Sequence, residues 1–444
     1  MTWPFALPFA GLLLSIALGP LLFVKFWHRH YGKIAAAWAL VTLAALSWQA
    51  GPATALASFV HALLGEYLSF IVLLFALYTV AGGILVTGDI RGTPTTNTGI
   101  LALGTIIASV VGTTGAAMIL VRPLIRANLT RRHNMHVLIF FIILVANVGG
   151  ALSPLGDPPL FVGFLRGVDF FWTTHNIWPQ TLIVAGLLLA IFAVIDAWRF
   201  GAEPRAKDGG RGEPVRIRGL VNVVLIGAIV ATMLISANWK PGIAFDVVGT
   251  RLELENLMRD TVLLVIVGLS LRLTPDEHRE ANGFNWEPIR EVAKLFAAIF
   301  TAIMPVIAML DAGHNGAFAW LLSAVTAPGG APREVAYFWF TGLMSAFLDN
   351  APTYLLFFEL AGGDPKVLMN DLAGTLAAIS MGAVYMGALT YIGNAPNFMV
   401  AAIANERGIK MPSFFGYMLR AAVVLVPLFV LLTLLPIAPL LSRH

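Results

Sequence analysis

The chain contains no cysteine and few charged residues. Asp, Glu, Lys and Arg make up 12% of its 444 residues, whereas an ordinary soluble domain has roughly 25%. The absence of cysteine excludes disulfides, thiolate metal sites and cysteine-based redox switches. The scarcity of charge and a hydrophobic content of 58% argue against a soluble globular domain.

Long apolar runs recur along the whole chain. A helix needs about 17 to 25 mostly apolar residues to cross a bilayer. The clearest runs cover residues 6–24, 35–50, 67–87, 180–198, 220–237 and 413–440. The sequence therefore predicts an all-α polytopic membrane protein surrounded by membrane lipid. No basic residue precedes Lys25, so we expect the first run to be a retained helix and not a cleaved signal peptide.

Basic residues predict the topology, because Lys and Arg favour cytoplasmic loops. If the amino terminus lies outside, the cytoplasmic segments hold 21 of the 28 Lys and Arg residues; these segments are 25–33, 88–97, 122–133, 199–218, 271–295 and 404–420. We therefore expect a protein of the inner (plasma) membrane with both termini outside. The net charge of +4 arises beside the spans, so a nucleic acid partner is not expected.

Two kinds of interruption appear within the apolar sequence. Residues 98–128 contain two short apolar pieces around "GTTGAA" (112–117) and are followed by arginines. A re-entrant hairpin explains them, and such backbone is tolerated only inside protein or facing water. The stretch "GALSPLGDPPLFV" (150–162) carries prolines and glycines that a continuous helix does not accommodate. It predicts a helix that is broken within the membrane.

Both interruptions recur later in the chain. "GALTYIGNAPNFM" (387–399) aligns with the first break at an offset of 237 residues, and six of thirteen positions are identical. "DNAPTYLL" (349–356) aligns with "TTGAAMIL" (113–120) at an offset of 236. Chance similarity between glycine-rich membrane segments is the alternative for either match alone. Two matches at nearly the same offset favour an internal repeat.

The repeat predicts two inverted halves of about five transmembrane helices each. Residues 1–200 hold three spans, the hairpin 98–128, a broken helix at 134–168 and a span at 179–198. A polar, flexible linker covers 201–219; the second half, 220–444, has a hairpin at about 335–361, a broken helix at 370–404 and a final span at 413–440. Five crossings per half invert the second half, as in many secondary transporters, whose binding sites lie where broken helices converge near the midplane.

The motifs contain two acids, Asp157 and Asp349. A carboxylate at membrane depth is costly and by default indicates an ion or proton pathway. Since one such site can hold either a proton or a cation, we expect both acids to couple protons and to bind sodium. The alternative for Asp157 is a helix cap followed by proline. The alternative for Asp349 is an interfacial acid at the base of a hairpin.

Neutral polar side chains accompany the two acids. Hard cations such as sodium prefer oxygen ligands of this kind. The candidates are Thr113, Thr114, Asn147, Ser153, Asn350, Thr353, Thr390, Asn394 and Asn397. The alternatives are helix packing for the hydroxyls and satisfaction of freed backbone groups for Asn147. Outside the motifs, we expect Glu66 in a loop or interface, Asp196 snorkelling or ion-paired, and Glu359 solvated.

The strings "NVGGALSPLGDPP" and "FLDNAPTYLLFFELAGGD" resemble the ion transporter superfamily. They are most similar to NhaD-type sodium/proton antiporters and to the related citrate transport family. The resemblance implies a homodimer with a scaffold domain and a transport domain that moves like an elevator. Binding positions carried over from the family are Thr113–Gly115, Ser153–Pro154 and Gly156–Asp157 in the first half, and Asp349–Ala351, Thr390 and Gly393–Asn394 in the second. The tip of the first hairpin, Thr113–Gly115, lacks the asparagine found at this place in the dicarboxylate-transporting branch of the superfamily.

The leading hypothesis is a sodium/proton antiporter that needs no cofactor other than the sodium ion. Its partners would be a small inorganic cation and a proton, and no Lys or Arg lies within the four motif cores. The alternative is a symporter for citrate or another small carboxylate, which half-helix amino termini can bind without arginine. A passive channel is a third hypothesis. An enzyme is not expected: helix breaks surround both acids, and neither HExxH nor GxSxG occurs.

Overall fold

The structure is a computed structural model that describes residues 2–203, 213–310 and 312–434. The predicted linker 201–219 and final span 413–440 therefore lie partly outside the described residues. Within these ranges the chain is predominantly helical, and eight helices are long and apolar enough to cross a membrane. They are Trp3–Leu22, Val24–Ala50, Pro52–Ala81, Pro94–Val111, Trp172–Gly201, Leu220–Asn238, Glu287–Leu310 and Phe414–Leu434. The chain is an integral multi-pass membrane protein.

The helices form a continuous series along the chain. In chain order the α-helices are α1 Leu7–Leu22, α2 Val24–Ala50, α3 Pro52–Val60, α4 Leu68–Ala81, α5 Pro94–Val111, α6 Thr113–Asn128, α7 Met135–Leu144, α8 Pro158–Leu165, α9 Trp172–Gly201, α10 Leu220–Asn238, α11 Leu254–Leu273, α12 Asp276–Ala281, α13 Glu287–Ala302, α14 Met304–Leu310, α15 Ala319–Val325, α16 Glu334–Phe347, α17 Asn350–Leu360, α18 Pro365–Met369, α19 Ala373–Met386, α20 Ala395–Glu406 and α21 Phe414–Leu434. A π-helical segment, His61–Tyr67, joins α3 to α4.

Two short antiparallel ribbons connect helices. Strand β1 (Leu85–Thr87) pairs with β2 (Arg216–Arg218), and β3 (Ala244–Val247) pairs with β4 (Thr250–Glu253). The far end of the predicted linker 201–219 includes strand β2. Backbone hydrogen bonds to β1, in a segment distant in sequence, order β2 there.

Two helical hairpins and two interrupted helices make up the centre of the molecule. The first hairpin joins α5 and α6 at Gly112, whose φ of +81° favours glycine. It begins at Pro94, before the expected residue 98, because the Thr93 side chain accepts a hydrogen bond from Thr96 N and caps α5. The second hairpin joins α16 and α17 through Leu348 and Asp349. Helices α6 and α17 begin at Thr113 and Asn350, so the hairpins correspond at 237 residues and not at 236.

Candidate functional site

The two helix interruptions have the same local form. Helix α7 ends at Leu144, a 3-10 turn follows at Val148–Gly150, and α8 begins at Pro158. In the later segment α19 ends at Met386, a 3-10 turn covers Gly387–Leu389, and α20 begins at Ala395. Proline near each restart has a φ suited to the first helical turn and needs no hydrogen-bond acceptor for its nitrogen. Each interruption thus leaves a segment of non-helical backbone inside the protein.

Glycine pairs hold both interruptions in tight loops. A Cβ atom added to Gly156 would lie 2.2 Å from Gly150 O, and one added to Gly393 would lie 2.5 Å from Gly387 O. Real Cβ atoms do not approach backbone oxygen this closely, so a larger residue would force the loops apart. Glycine at 156 and 393 therefore shapes the loop, beyond any contact with a bound solute.

Each hairpin tip is bonded to the interruption in its own half. Ser153 Oγ donates to Ser109 O on α5, and Thr390 Oγ1 donates to Ala346 O on α16. Thr113 N also donates to Gly156 O at 2.8 Å. The two donor residues, Ser153 and Thr390, lie 237 residues apart in the sequence, and so do the two acceptor residues. Ser153 and Thr390 thus serve as links between tip and break, with their protons already committed to backbone carbonyls.

Asp157 is where the four segments meet. Its side chain is 1% exposed. Thr113 Oγ1 and Asn394 Nδ2 both donate to its Oδ1 at 3.0 Å, and Asn350 Nδ2 donates to its Oδ2 at 2.5 Å. These three residues come from the first hairpin, the second break and the second hairpin. One carboxylate therefore joins both halves of the chain.

The side chain of Asp157 does not cap the helix that follows it. Asp157 is the residue before α8, yet it makes no side-chain cap hydrogen bond. Asn394, before α20, makes none either. The capping alternative for Asp157 is therefore wrong, since its carboxylate turns towards the other half of the chain. Among the described residues, no Lys, Arg or His forms an ion pair with it.

Asp349 has a different environment from Asp157. It is partly exposed, and its Oδ1 accepts a hydrogen bond from Ala351 N at 3.2 Å. This is a side-chain cap on α17 at the tip of the second hairpin. The alternative for Asp349, an acid at the base of the hairpin, was wrong, because the residue lies at the tip. Thr353 lies one turn further and donates to Asp349 O at 3.0 Å, so its hydroxyl satisfies its own helix.

Three asparagine side chains form a chain of amides beside Asp157. Asn394 Nδ2 lies 3.0 Å from Ala146 O and 3.4 Å from Asn147 Oδ1. Asn147 Nδ2 donates to Asn397 Oδ1 at 2.7 Å, and Asn397 Nδ2 donates at 2.8 Å to both Gly387 O and Thr390 O. Asn147 also donates to Ile142 O at 2.8 Å. The amides thus satisfy carbonyl groups that the broken helices leave free.

One buried polar group near the tips lacks a hydrogen-bond partner within the described part of the chain. Asn350 is fully buried, and its Oδ1 has no hydrogen-bond partner among the described residues. Thr114 is half-buried and follows Thr113 at the first tip. An unpaired buried amide oxygen is costly. Asn350 therefore offers an oxygen ligand directly beside the Asp157 carboxylate.

A second set of charged residues was missed by sequence reasoning. Arg166, which follows α8, contacts Glu66 at 2.8 Å and Glu359 at 2.6 Å. The expectations for the two acids were wrong: Glu66 is a buried residue of the π-helical segment, and Glu359 is a buried residue of α17. The three residues are far apart in sequence, and no motif marks them. Arg166 thus links the end of α8 to the π-helical segment and to α17.

Asp196 is buried and ion-paired. It contacts Arg131 Nη2 at 2.5 Å and His136 Nε2 at 2.8 Å, and it accepts from Asn97 Nδ2 at 2.9 Å. These partners lie on or next to α5, α6 and α7, and Asp196 lies on α9. Of the two alternatives for Asp196, ion pairing is correct and snorkelling is not. The cluster fixes the base of the first hairpin to the neighbouring helices.

Comparison with known proteins agrees with a membrane transporter. An uncharacterized transporter of Mycobacterium bovis is 26% identical over 354 residues, and the match covers 75% of each chain. An uncharacterized transporter of Mycobacterium tuberculosis matches to the same extent. A 46 kDa membrane protein of Mycobacterium leprae is 23% identical over 299 residues, which cover 64% of this chain and 63% of the relative. A family profile described as "Putative citrate transport" matches residues 1–437. The chain belongs to this citrate transport family.

Proposed function

We propose that the chain is a secondary active transporter that exchanges sodium for protons at Asp157. The observation that carries the proposal is a buried carboxylate whose partners are all neutral donors. An ionised carboxylate without a counter-charge is strongly unfavourable inside protein. It is relieved by a proton or by a small cation. Competition between the two for one carboxylate couples their movements in opposite directions.

The neighbouring groups support a sodium ligand set. Oxygen atoms suited to a hard cation lie around the carboxylate: Asn350 Oδ1, Thr113 Oγ1 and the carbonyls of the interruptions. Asp349, one residue before Asn350, adds a second negative charge near the tip of the second hairpin. Both acids would couple protons, with Asp157 as the central group. Thr114, Ser153, Thr390 and the backbone of Gly156 and Gly393 complete the proposed site.

The proposed movement is that of an elevator. The two hairpins, the broken helices and α9 and α21 would form the transport domain, with the helices of 2–81 and 220–310 as scaffold. The order of elements supports two inverted repeats: in each half three long helical segments precede a hairpin, an interrupted helix and a last helix. We further propose a homodimer in the plasma membrane with both termini outside, as the positive charges indicate.

Everted membrane vesicles test the proposed exchange. A pH gradient is formed, sodium chloride is added, and the collapse of the gradient is followed with a fluorescent amine. We expect collapse with sodium, little collapse with choline, and none with Asp157→Asn at equal expression. Asn370→Leu is the matched control, because Asn370 is exposed, directly follows the short helix α18 and, among the described residues, donates through its side chain only to Lys366 O. Wild-type vesicles without sodium-dependent collapse would refute the antiporter.

Coupled uptake of citrate or another small carboxylate is the second candidate. It is favoured by the family description and by the amino termini of α8 and α20, which no side chain caps. Such helix ends carry a partial positive charge suited to a carboxylate. Counterflow of radiolabelled citrate in proteoliposomes separates the two functions. Citrate accumulation that depends on a sodium or proton gradient would establish the symporter instead.

A further inference from the structure

The Asn147 and Asn397 side chains use all their polar atoms on protein partners. Each side-chain amide makes two hydrogen bonds as donor through Nδ2 and accepts one through Oδ1. Both residues are fully buried. An amide engaged in this way has little capacity left for a transported ion. Their function must therefore differ from that of Asp157 and Asn350.

Backbone carbonyls determine how these amides are oriented. Gly387 O and Thr390 O can only accept, so Asn397 must present its NH2 group to them and its oxygen to Asn147. Asn147 must then present its NH2 group to Asn397 Oδ1, and Ile142 O requires the same. The oxygen of Asn147 is consequently turned towards Asn394.

Neighbouring oxygen atoms also determine the orientation of the Asn394 side-chain amide. Asn394 faces the carbonyl oxygen Ala146 O and the oxygen of Asn147, at 3.0 and 3.4 Å, so Nδ2 must point towards both. That nitrogen also lies 3.0 Å from Asp157 Oδ1. The Asn394 NH2 group therefore faces Asp157 for two reasons. Ala146 O contacts that group directly, and Gly387 O and Thr390 O orient Asn397 and, through it, Asn147. Exchanging the oxygen and nitrogen of any of these three amides would set an amide oxygen against a carbonyl oxygen, and two acceptors cannot form a hydrogen bond.

The hydrogen bond between Asn147 and Asn397, called the amide bridge below, has no counterpart at the corresponding positions of the repeat. At the 237-residue offset, Asn147 corresponds to Val384 and Asn397 corresponds to Leu160. Both of these are buried apolar residues, and the helix interruptions form in both halves nevertheless. Building an interruption thus does not require the bridge. Its distinguishing feature is its connection to Asp157 through Asn394.

We propose that Asn147 and Asn397 are positioning residues for the transported ion. They hold the Asn394 amide so that its NH2 group, and not its oxygen, faces the Asp157 carboxylate. The inference rests on the proposed sodium site and deepens it. Without the bridge, Asn394 loses its contact with Asn147 Oδ1 and keeps the contact with Ala146 O, so its side chain is held less firmly and the ligand geometry is disturbed. Loss of such outer partners typically lowers metal affinity about 10- to 100-fold.

A double-mutant cycle tests this inference on the purified full-length protein. Binding of radioactive sodium is measured for wild type, Asn147→Leu, Asn394→Ala and the double variant. We expect each single variant to bind sodium about 10- to 100-fold more weakly. The double variant should bind no more weakly than Asn394→Ala, because Asn147 acts through Asn394. Asn397→Leu should repeat this behaviour, and Asn370→Leu should bind like wild type.

Thermal unfolding separates positioning from a general structural role. The midpoint of unfolding is measured without sodium for the same variants, and the non-additive behaviour should be confined to binding. Independent, additive losses of affinity would overturn the inference, as would unchanged affinity in Asn147→Leu. A wild type that does not bind sodium refutes the sodium site; the cycle is then run with radiolabelled citrate. Additive losses, or no wild-type binding of citrate, then overturn the inference.

Discussion

Asp157 and Asn394, at corresponding positions 237 residues apart, are hydrogen-bonded to each other, with Asn394 Nδ2 3.0 Å from Asp157 Oδ1. Both precede a restarting helix, and neither caps it. Direct contact between corresponding residues indicates that the two interruptions meet where their second helices begin. Because one position is an acid and the other an amide, the contact joins an acceptor to a donor. Two acids there would repel each other.

Replacing Asp157 with asparagine should abolish coupled exchange and leave the fold intact. The substitution removes the buried charge at the centre, and the Asn350 amide, whose oxygen has no hydrogen-bond partner among the described residues, can turn that oxygen to the new NH2 group. A buried ion without a counter-charge is unfavourable, so removing this charge should offset the weakening of the hydrogen bonds to it. We expect no sodium-dependent collapse of a pH gradient in vesicles and an unchanged or higher midpoint of thermal unfolding. Exchange at the wild-type rate would show that the carboxylate is dispensable.

Two substitutions of Asp349 should separate its charge from its capping role. Asparagine at this position would still cap α17, because it is as good a cap as aspartate, whereas alanine costs about 1 kcal/mol. We expect Asp349→Asn to slow exchange without lowering the unfolding midpoint, and Asp349→Ala to lower both. Initial rates across a pH series, with calorimetry on the same preparations, check this. An unchanged pH profile in Asp349→Asn would argue against a proton role.

Alanine at Gly156 or Gly393 should damage the site through steric overlap alone. The added Cβ atoms would lie within 2.5 Å of backbone oxygen, and overpacking of this kind costs about 1–3 kcal/mol. Gly186→Ala is the control, since no atom lies within 4 Å of its added Cβ. We expect lower unfolding midpoints and weaker sodium binding only in the first two variants. Equal behaviour of all three would contradict the tight loops.

Removing the Arg166 side-chain charge should destabilise the protein, and removing its partners as well should restore it. Arg166→Gln leaves Glu66 and Glu359 without the cation between them. Breaking a buried pair costs about 3–5 kcal/mol, whereas replacing all its members with well-packed apolar residues of similar volume is often neutral. The cost here should lie near the lower limit, because the Arg166 side chain is 24% exposed. Thermal unfolding of Arg166→Gln and of the triple variant Arg166→Met, Glu66→Leu, Glu359→Leu checks this. If the triple variant is no more stable than the single variant, the charges are not the cause.

Local and distant interactions differ in how well sequence predicts them. The interruptions at 150–158 and 387–395 can be located in advance, because glycine and proline act through the backbone of their own segment. The contact of Asp157 with the second half follows from the repeat. The Asn147–Asn397 bond does not, since the corresponding residues are apolar. Nor do Arg166 and its partners, or β2, whose order depends on pairing with β1. That the grouped residues bind an ion stays a prediction.

The close glycine pairs have a further consequence for how a solute is received. Gly150 lies against Gly156 and Gly387 against Gly393 through backbone atoms, so the two loops have little room to rearrange. Ordering a flexible loop on binding reduces affinity, because its conformational freedom is lost. Here that freedom is already lost during folding. The backbone around Asp157 is thus already in place before a solute arrives.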